Sequence, residues 1–397
     1  MRVSTLGWNR NTVDAMLEQQ ARLARTQAEV ATGLRVRTPA DDPIAATRIA
    51  GLERALSASE QFARNANYLE SRLGGTEEAL ADSGNVLQRV RELVVQGGNA
   101  TVGADERRML TAELRTRIDE LVATANRADG SGEYLFAGTA TQTKPFVRDA
   151  AGVRYSGDTT IRQVEISDTQ SLADGHTGLD VFMAAPRGNG TFTTAIAAAN
   201  TGAASVDVGS VFDPAAWVAN AYRIRFTAPG SYEILDSSNN TIVTGSYTSG
   251  DAIEFRGVRV TITGTAASGD EFEVSPAGRG SVFTLLDSLV ATMENRTATD
   301  AEKARFATEV GSGLVGLDKA IDHILQVRAQ VGARLSAIDA SNETRQSLEL
   351  ELQGDASALR DTDYAAAVTR LNQQYAGLQA AQAAYTRIAQ LSLFDYL

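Results

Sequence analysis

The stretch Tyr364–Leu397 reads YAAAVTRLNQQYAGLQAAQAAYTRIAQLSLFDYL. Its larger side chains fall at Tyr364, Val368, Leu371, Tyr375, Leu378, Gln382, Tyr385 and Ala389, in alternating steps of four and three, and Ile388 and Leu391 thicken the stripe near its end. That is a heptad seam. No Pro interrupts it, so the spacing predicts one helix of about 30 residues, roughly 45 Å long. A matching stripe lies at the opposite end of the chain, at Val13, Met16, Leu17, Leu23, Ala24, Val30, Ala31 and Leu34, broken by Gln20 and Gln27. Two such helices bury one face each against the other, which cannot cover Met16, Leu23, Tyr375 and Tyr385 completely. Packing between copies of the chain is therefore expected at Met16, Leu17, Leu23, Val30, Leu34, Leu371, Tyr375, Leu378, Tyr385, Ile388 and Leu391.

Inward of each stripe sits a break. In RVRTPADDPIAAT, Pro39 disfavours helix at Thr38, while Asp41 or Asp42 followed by Pro43 is a helix start. In GDASALRDTDY the rhythm breaks, and Asp361 and Asp363 read as caps and a hinge. Between the breaks lie two further seams. Leu69, Leu73, Thr76, Leu80, Ser83, Leu87, Val90 and Val94 hold a 4-3 alternation, and Leu317, Ile321, Ile324, Arg328, Val331, Leu335 and Ile338 hold another. Leu110, Leu114, Ile118 and Leu121 mark a shorter helix that folds back as an αα-hairpin, and Val282, Leu285, Leu286, Leu289 and Met293 mark one more.

The middle of the chain changes period. Tyr222-Arg223-Ile224-Arg225-Phe226, Val258-Arg259-Val260-Thr261-Ile262 and Phe272-Glu273-Val274 alternate, with turn signals such as APGS and ASGD between them. The expected fold is mainly α with a β insert: a long antiparallel helical coiled-coil rod formed by both chain ends, plus one or two small antiparallel β modules. Expected domains are 1–40 with 355–397 (terminal helices), 41–139 with 281–354 (rod) and 140–280 (β-rich). The low-complexity stretch near 187–210 is expected to be a surface connection splitting the last into two modules.

A net charge of −12 gives no basic surplus for nucleic acid. The absence of Cys excludes disulfides, thiolate nucleophiles and Cys-metal sites. No run of 18 apolar residues occurs, and MRVSTLGWNRNTVDAM lacks an apolar core or A-x-A site, so no membrane span and no cleaved signal peptide are expected. Gly311-Ser312-Gly313-Leu314-Val315-Gly316 matches G-x-G-x-x-G, but its flanks are helical on both sides, which favours close packing over a dinucleotide site. His176 and His323 lie in unrelated segments without metal-ligand spacing. The N-x-[ST] matches at Asn99, Asn189, Asn295 and Asn342 carry little weight. No catalytic residue, metal or cofactor is expected.

VATGLRVRTPADDPIAAT and GGNATVGADERRMLTAELRTRIDELVATANRADGSGEYLFAGTATQTKPF closely resemble the N-terminal region of the flagellin superfamily, and ALRDTDYAAAVTRLNQQYAGLQAAQAAYTRIAQLSLFDYL resembles its C-terminal region. Flagellin proper tends to show DDAAG where this chain has Asp41-Asp42-Pro43-Ile44-Ala45-Ala46, so the resemblance is nearer to the hook-associated members. It covers roughly residues 1–146 and 281–397. The resemblance implies a non-enzymatic axial protein of the bacterial flagellum at the hook–filament junction, extracellular and exported by the flagellar type III route. Its implied partners are further copies of itself in a ring or helical layer, hook-associated protein 1 beneath, flagellin above and a cytosolic export chaperone at the C-terminal region. The alternative is flagellin itself; a more distant one is an enzyme or glycan-binding module in the β insert.

Overall fold

The computed structural model describes residues 5–99, 101–295 and 297–394, without the side chains of 5, 6, 8, 9 and 388–394. Among the described residues six α-helices run α1 (Thr5–Thr32), α2 (Pro43–Gly97), α3 (Ala104–Ala125), α4 (Val282–Glu294), α5 (Asp300–Arg360) and α6 (Tyr364–Phe394), with short strands between Phe146 and Gly280. The chain divides into two compact units. One is built from both chain ends, up to Arg64 and from Ser341; the other spans Asn65–Ala340.

Local chemistry sets the helix starts. Pro43 opens α2 while Ala45 N donates to the Asp42 carboxylate at 3.0 Å. At α5, Glu302 N donates to Thr299 Oγ1 at 3.2 Å, and the Glu302 carboxylate accepts from Thr299 N at 2.8 Å, a reciprocal capping box. Ser281 caps α4 by accepting from Thr284 N, and Asp363 caps α6 by accepting from Ala366 N.

In the Asn65–Ala340 unit every position of the 4-3 seam from Leu69 to Val94 is buried. It packs with Leu114, Ile118 and Leu121 of α3, Leu286 and Leu289 of α4, and Leu317, Ile324, Val331 and Ile338 of α5. Two seam positions are polar. Thr76 and Ser83 donate to the carbonyls of Arg72 and Ala79 one turn back, so neither hydroxyl is buried unpaired. The Gly311–Gly316 stretch lies inside α5. A side chain on Gly313 would collide with Leu289, and one on Gly316 would press on Leu285, so these glycines let α4 and α5 approach closely.

The same core takes in Phe136, Phe146 and Phe182, whose rings meet edge to face, with Phe283 tilted against the last two. From Phe192 a second core begins. A five-stranded antiparallel sheet has the order Thr241–Ser246, Ser231–Leu235, Tyr222–Ala228, Glu271–Pro276, Phe192–Ile196. A smaller sheet of Ala252–Phe255, Val258–Thr263 and Ser205–Val206, with Ser210–Val211 also on its central strand, shares that core. Tyr222, Ile224 and Phe226 point inward, while Arg223 and Arg225 point out and pair with Glu271 and Glu233. The hairpin between Phe255 and Val258 turns on Arg256 and Gly257, both at positive φ, as a two-residue primed turn requires.

Two expectations are corrected. The stretch 187–210 is not a surface connection: Phe192–Ile196 is an edge strand of the larger sheet, with Phe192 fully buried. Its Gly- and Ala-rich composition hides a period-two pattern in which Phe192 and Thr194 turn inward. Likewise GDASALR does not break the helical rhythm, because α5 runs through it to Arg360. Burial of Ala356 and the packing of Leu359 against Val36, Ala45 and Ile49 offset the roughly 1 kcal/mol that Gly354 costs a helix.

Candidate assembly surface of the terminal helices

The unit built from the chain ends is tied by a short backbone knot. Gly33, at φ +72°, ends α1. Leu34 and Asp361 then form an antiparallel bridge. Arg35 N donates to the Arg360 carbonyl at 2.7 Å and Thr362 N to that of Gly33 at 2.9 Å. The Arg35 guanidinium donates to the Leu359 carbonyl and pairs with Asp42. Each aspartate singled out in the sequence is engaged as an acceptor. Asp41 receives Thr38 N, Thr38 Oγ1 and Arg37 N, which hold its carboxyl below the usual range. Asp361 receives Ser357 Oγ at 2.5 Å and is lowered chiefly by that bond. Asp42 and Asp363 cap α2 and α6. Pro39 is exposed in the linker.

Helices α1 and α6 pair beyond the knot. Tyr364 donates its hydroxyl to the Val30 carbonyl at 2.7 Å, and Arg370 meets Glu29 at 3.3 Å. The inward face of α1 is Thr12, Met16, Gln19, Leu23, Thr26 and Val30, and that of α6 is Ala367, Leu371, Gln374, Leu378, Ala381 and Tyr385. Both sets step by four and three. A Cβ on Gly377 would lie 2.6 Å from the Gln19 side-chain amide, so the Gln19 side chain lies over the space that Gly377 leaves open.

Alternate rungs of these seams, Met16, Leu23 and Val30 with Leu371, Leu378 and Tyr385, lie on the stripes read from the sequence, while rungs between them, such as Thr12, Ala367 and Gln374, fall one residue before Val13, Val368 and Tyr375. Those intervening rungs are small or polar, while Leu17 stays 57 % exposed and Tyr375 54 %. Of the expected packing residues, Leu23 and Leu378 are covered within the pair, and Met16, Val30, Leu34, Leu371 and Tyr385 are half-covered. Leu17 and Tyr375 are left outside, and the side chains of Ile388 and Leu391 lie outside the described residues. Val13, Tyr364 and Val368 share the exposed edge and were absent from the expected packing set, although all three sit on the sequence stripes. A lone pair of helices thus covers part of each stripe and leaves Val13, Leu17, Tyr364, Val368 and Tyr375 open.

The two histidines are not unrelated in space. His176 Nδ1 lies 3.5 Å from the Asp180 carboxylate, and His323 Nε2 lies 2.8 Å from the Asp180 carbonyl. Among the described residues no group of three His, Cys, Asp or Glu is placed to hold a metal, and no helix is long and apolar enough to cross a membrane.

Comparison with known proteins follows this architecture. Residues 3–141 match the bacterial flagellin N-terminal helical region and 314–397 the bacterial flagellin C-terminal helical region. Residues 196–276 match the D2-like domain of flagellar hook-associated protein 1. The flagellar hook-associated protein 3 of Salmonella typhimurium is 24 % identical over 396 residues, covering 100 % of this chain and 99 % of that protein. The flagellin of Salmonella moscow is 23 % identical, covering 86 % of this chain and 71 % of its own length. The crystal structure of Xanthomonas campestris FlgL is 36 % identical, covers 77 % of this chain and 99 % of that one, and superimposes with a TM-score of 0.73. That of the flagellar junction protein FlgL from Legionella pneumophila is 28 % identical, covers 79 % and 100 %, and gives 0.72. End-to-end likeness to hook-associated protein 3, against partial likeness to flagellin, places the chain: it belongs to the flagellar hook-associated protein 3 (FlgL) family.

Proposed function

We propose that this chain is a structural subunit of the bacterial flagellum at the hook–filament junction, built into a ring or helical layer by its terminal helices rather than acting as an enzyme. The outward-facing bulk of α1 and α6 carries the proposal: Leu17, Tyr364, Val368 and Tyr375 are exposed on helices whose inner faces are turned to each other. Contacts between neighbours around an axis are heterologous, so one edge of each helix pair can meet a different edge of the next copy. Charge supports the same reading. Residues 1–64 and 341–397 carry 13 Lys and Arg against 14 Asp and Glu, so the chain's acidic surplus lies elsewhere and copies meet there with little net repulsion.

Within such a layer, hook-associated protein 1 lies on one side and flagellin on the other. Before export through the flagellar type III route, a cytosolic chaperone covers the C-terminal region. Immunogold labelling of intact flagella tests the placement. Label confined to a short band between hook and filament is expected; label along the whole filament would return the chain to a flagellin role.

A further inference from the structure

Residues Asp174–Gly178 are buried. With Leu179 and Asp180 they form a segment clamped from several sides. Asp174 meets Arg72 of α2 at 3.5 Å and Arg162 at 2.8 Å. The Arg334 guanidinium of α5 donates to the Gly175 carbonyl at 3.0 Å, and His323 of α5 engages the Asp180 carbonyl. Gly178 N donates to the Phe136 carbonyl at 2.7 Å. The segment then enters a π-helical turn, Leu179–Met183, that buries Phe182 among Phe136, Phe146 and Phe283. Its placement therefore governs how that aromatic cluster is closed.

At the middle of the segment sits His176, 5 % exposed. Its Nδ1 has the Asp180 carboxylate at 3.5 Å, and its Nε2 is buried with no hydrogen-bond partner. Arg334 and His323 face the ring from α5. Through Asp174, two residues earlier, Arg72 from α2 and Arg162 add further positive charge to the same surroundings. A neutral ring fits this place, since a single Nδ1–H can point at Asp180. An imidazolium does not, because it adds an Nε2–H with no acceptor and a cation beside Arg334. We propose that Asp174–Asp180 is an acid-sensitive strap: protonation of His176 releases the segment from α5 and loosens the turn that seats Phe182. Burial first, then Arg334, lowers the affinity of the ring for a proton below its ordinary value. The closed strap is thus favoured above the ordinary histidine pKa and loses that advantage as pH falls beneath it.

Hydrogen exchange on the full chain at about pH 7.5 and about pH 5.5 tests this, with rates corrected for intrinsic exchange. Protection of the Asp174, Gly178 and Val181 amides is expected to fall about tenfold on acidification, the limit for a released ring titrating at 6.5, while Leu286 and Leu289 in α4 hold steady. His176→Gln should abolish the step and His323→Gln should keep it. If His176→Gln does not fold, an NMR titration of the wild-type ring decides: protonation clearly below the ordinary range sustains the strap. A His176 ring that titrates at or above that range, or an acid step that persists in His176→Gln, would overturn it.

Discussion

The contrast between two neighbouring rungs of α6 gives the sharpest test. Tyr375 is 54 % exposed, whereas Leu378, less than one turn away, is 8 % exposed within the helix pair. A tyrosine offers 150–250 Å² for burial, so roughly 100 Å² of Tyr375 remains for a neighbour to cover. At about 25 cal/mol per Å² that is about 2.5 kcal/mol, or roughly 70-fold in the association constant at each contact. Tyr375→Ser, between residues of similar helix propensity, should change the stability of the isolated chain by less than about 0.5 kcal/mol. Leu378→Ala should cost the α1–α6 pair about 2 kcal/mol, the low end for a buried leucine, because the pair is only two helices thick. Hydrogen exchange of α1 and α6 in the dilute chain reads the first quantity, and immunogold counts in a complemented deletion strain read the second. Tyr375→Ser should leave exchange alone and deplete the junction label. Wild-type labelling by that variant, or loosening of the helix pair equal to that of Leu378→Ala, would refute the division into inner and outer faces.

Other outcomes follow from the same packing. Leu87→Ala, at a fully buried seam position, should lower stability by about 2–5 kcal/mol in a urea melt. Gly313→Ala should force Leu289 aside and cost about 1–3 kcal/mol, while Gly311→Ala, where nothing lies within 4 Å, should be neutral or stabilising. Asp42→Ala should remove the cap on Ala45 N and cost about 1 kcal/mol, read as faster exchange in the first turn of α2. Burial pushes the Tyr155 phenol up to about 12, so the folded state gains from the protonated form. That contribution is present below the ordinary tyrosine pKa of 10.0 and lost as pH rises from there toward 12; tyrosinate absorbance of wild type against Tyr155→Phe should show one late-titrating group.

Helices were legible in the sequence because heptad spacing survives even where Thr76 and Ser83 replace apolar residues. Strands with Arg and Glu on the outer face, such as Tyr222–Ala228, were legible for the parallel reason. Phe192–Ile196 was not, since its inward Thr194 and outward Ala195 invert the usual polarity of a strand. At the assembly surface the stripes on both terminal helices could be read, but not their division into a face turned to the partner helix and a face left open. That division depends on which of two adjacent positions, Thr12 or Val13, Ala367 or Val368, Gln374 or Tyr375, turns toward the other helix, and at each the smaller or more polar one does. Nor could sequence distance reveal that His176 and His323 converge on Asp180, which needs the strap to cross α5.

The Gln19 side chain lying over Gly377 also fixes how α1 is aligned along α6. Sliding by one heptad would carry Gln19 from Gly377 to Arg370 or Ala384, whose side chains fill the room that the glycine leaves open. With the alignment locked, the teeth on the outside keep a constant pitch, and a newcomer of the same make can mesh at the first try.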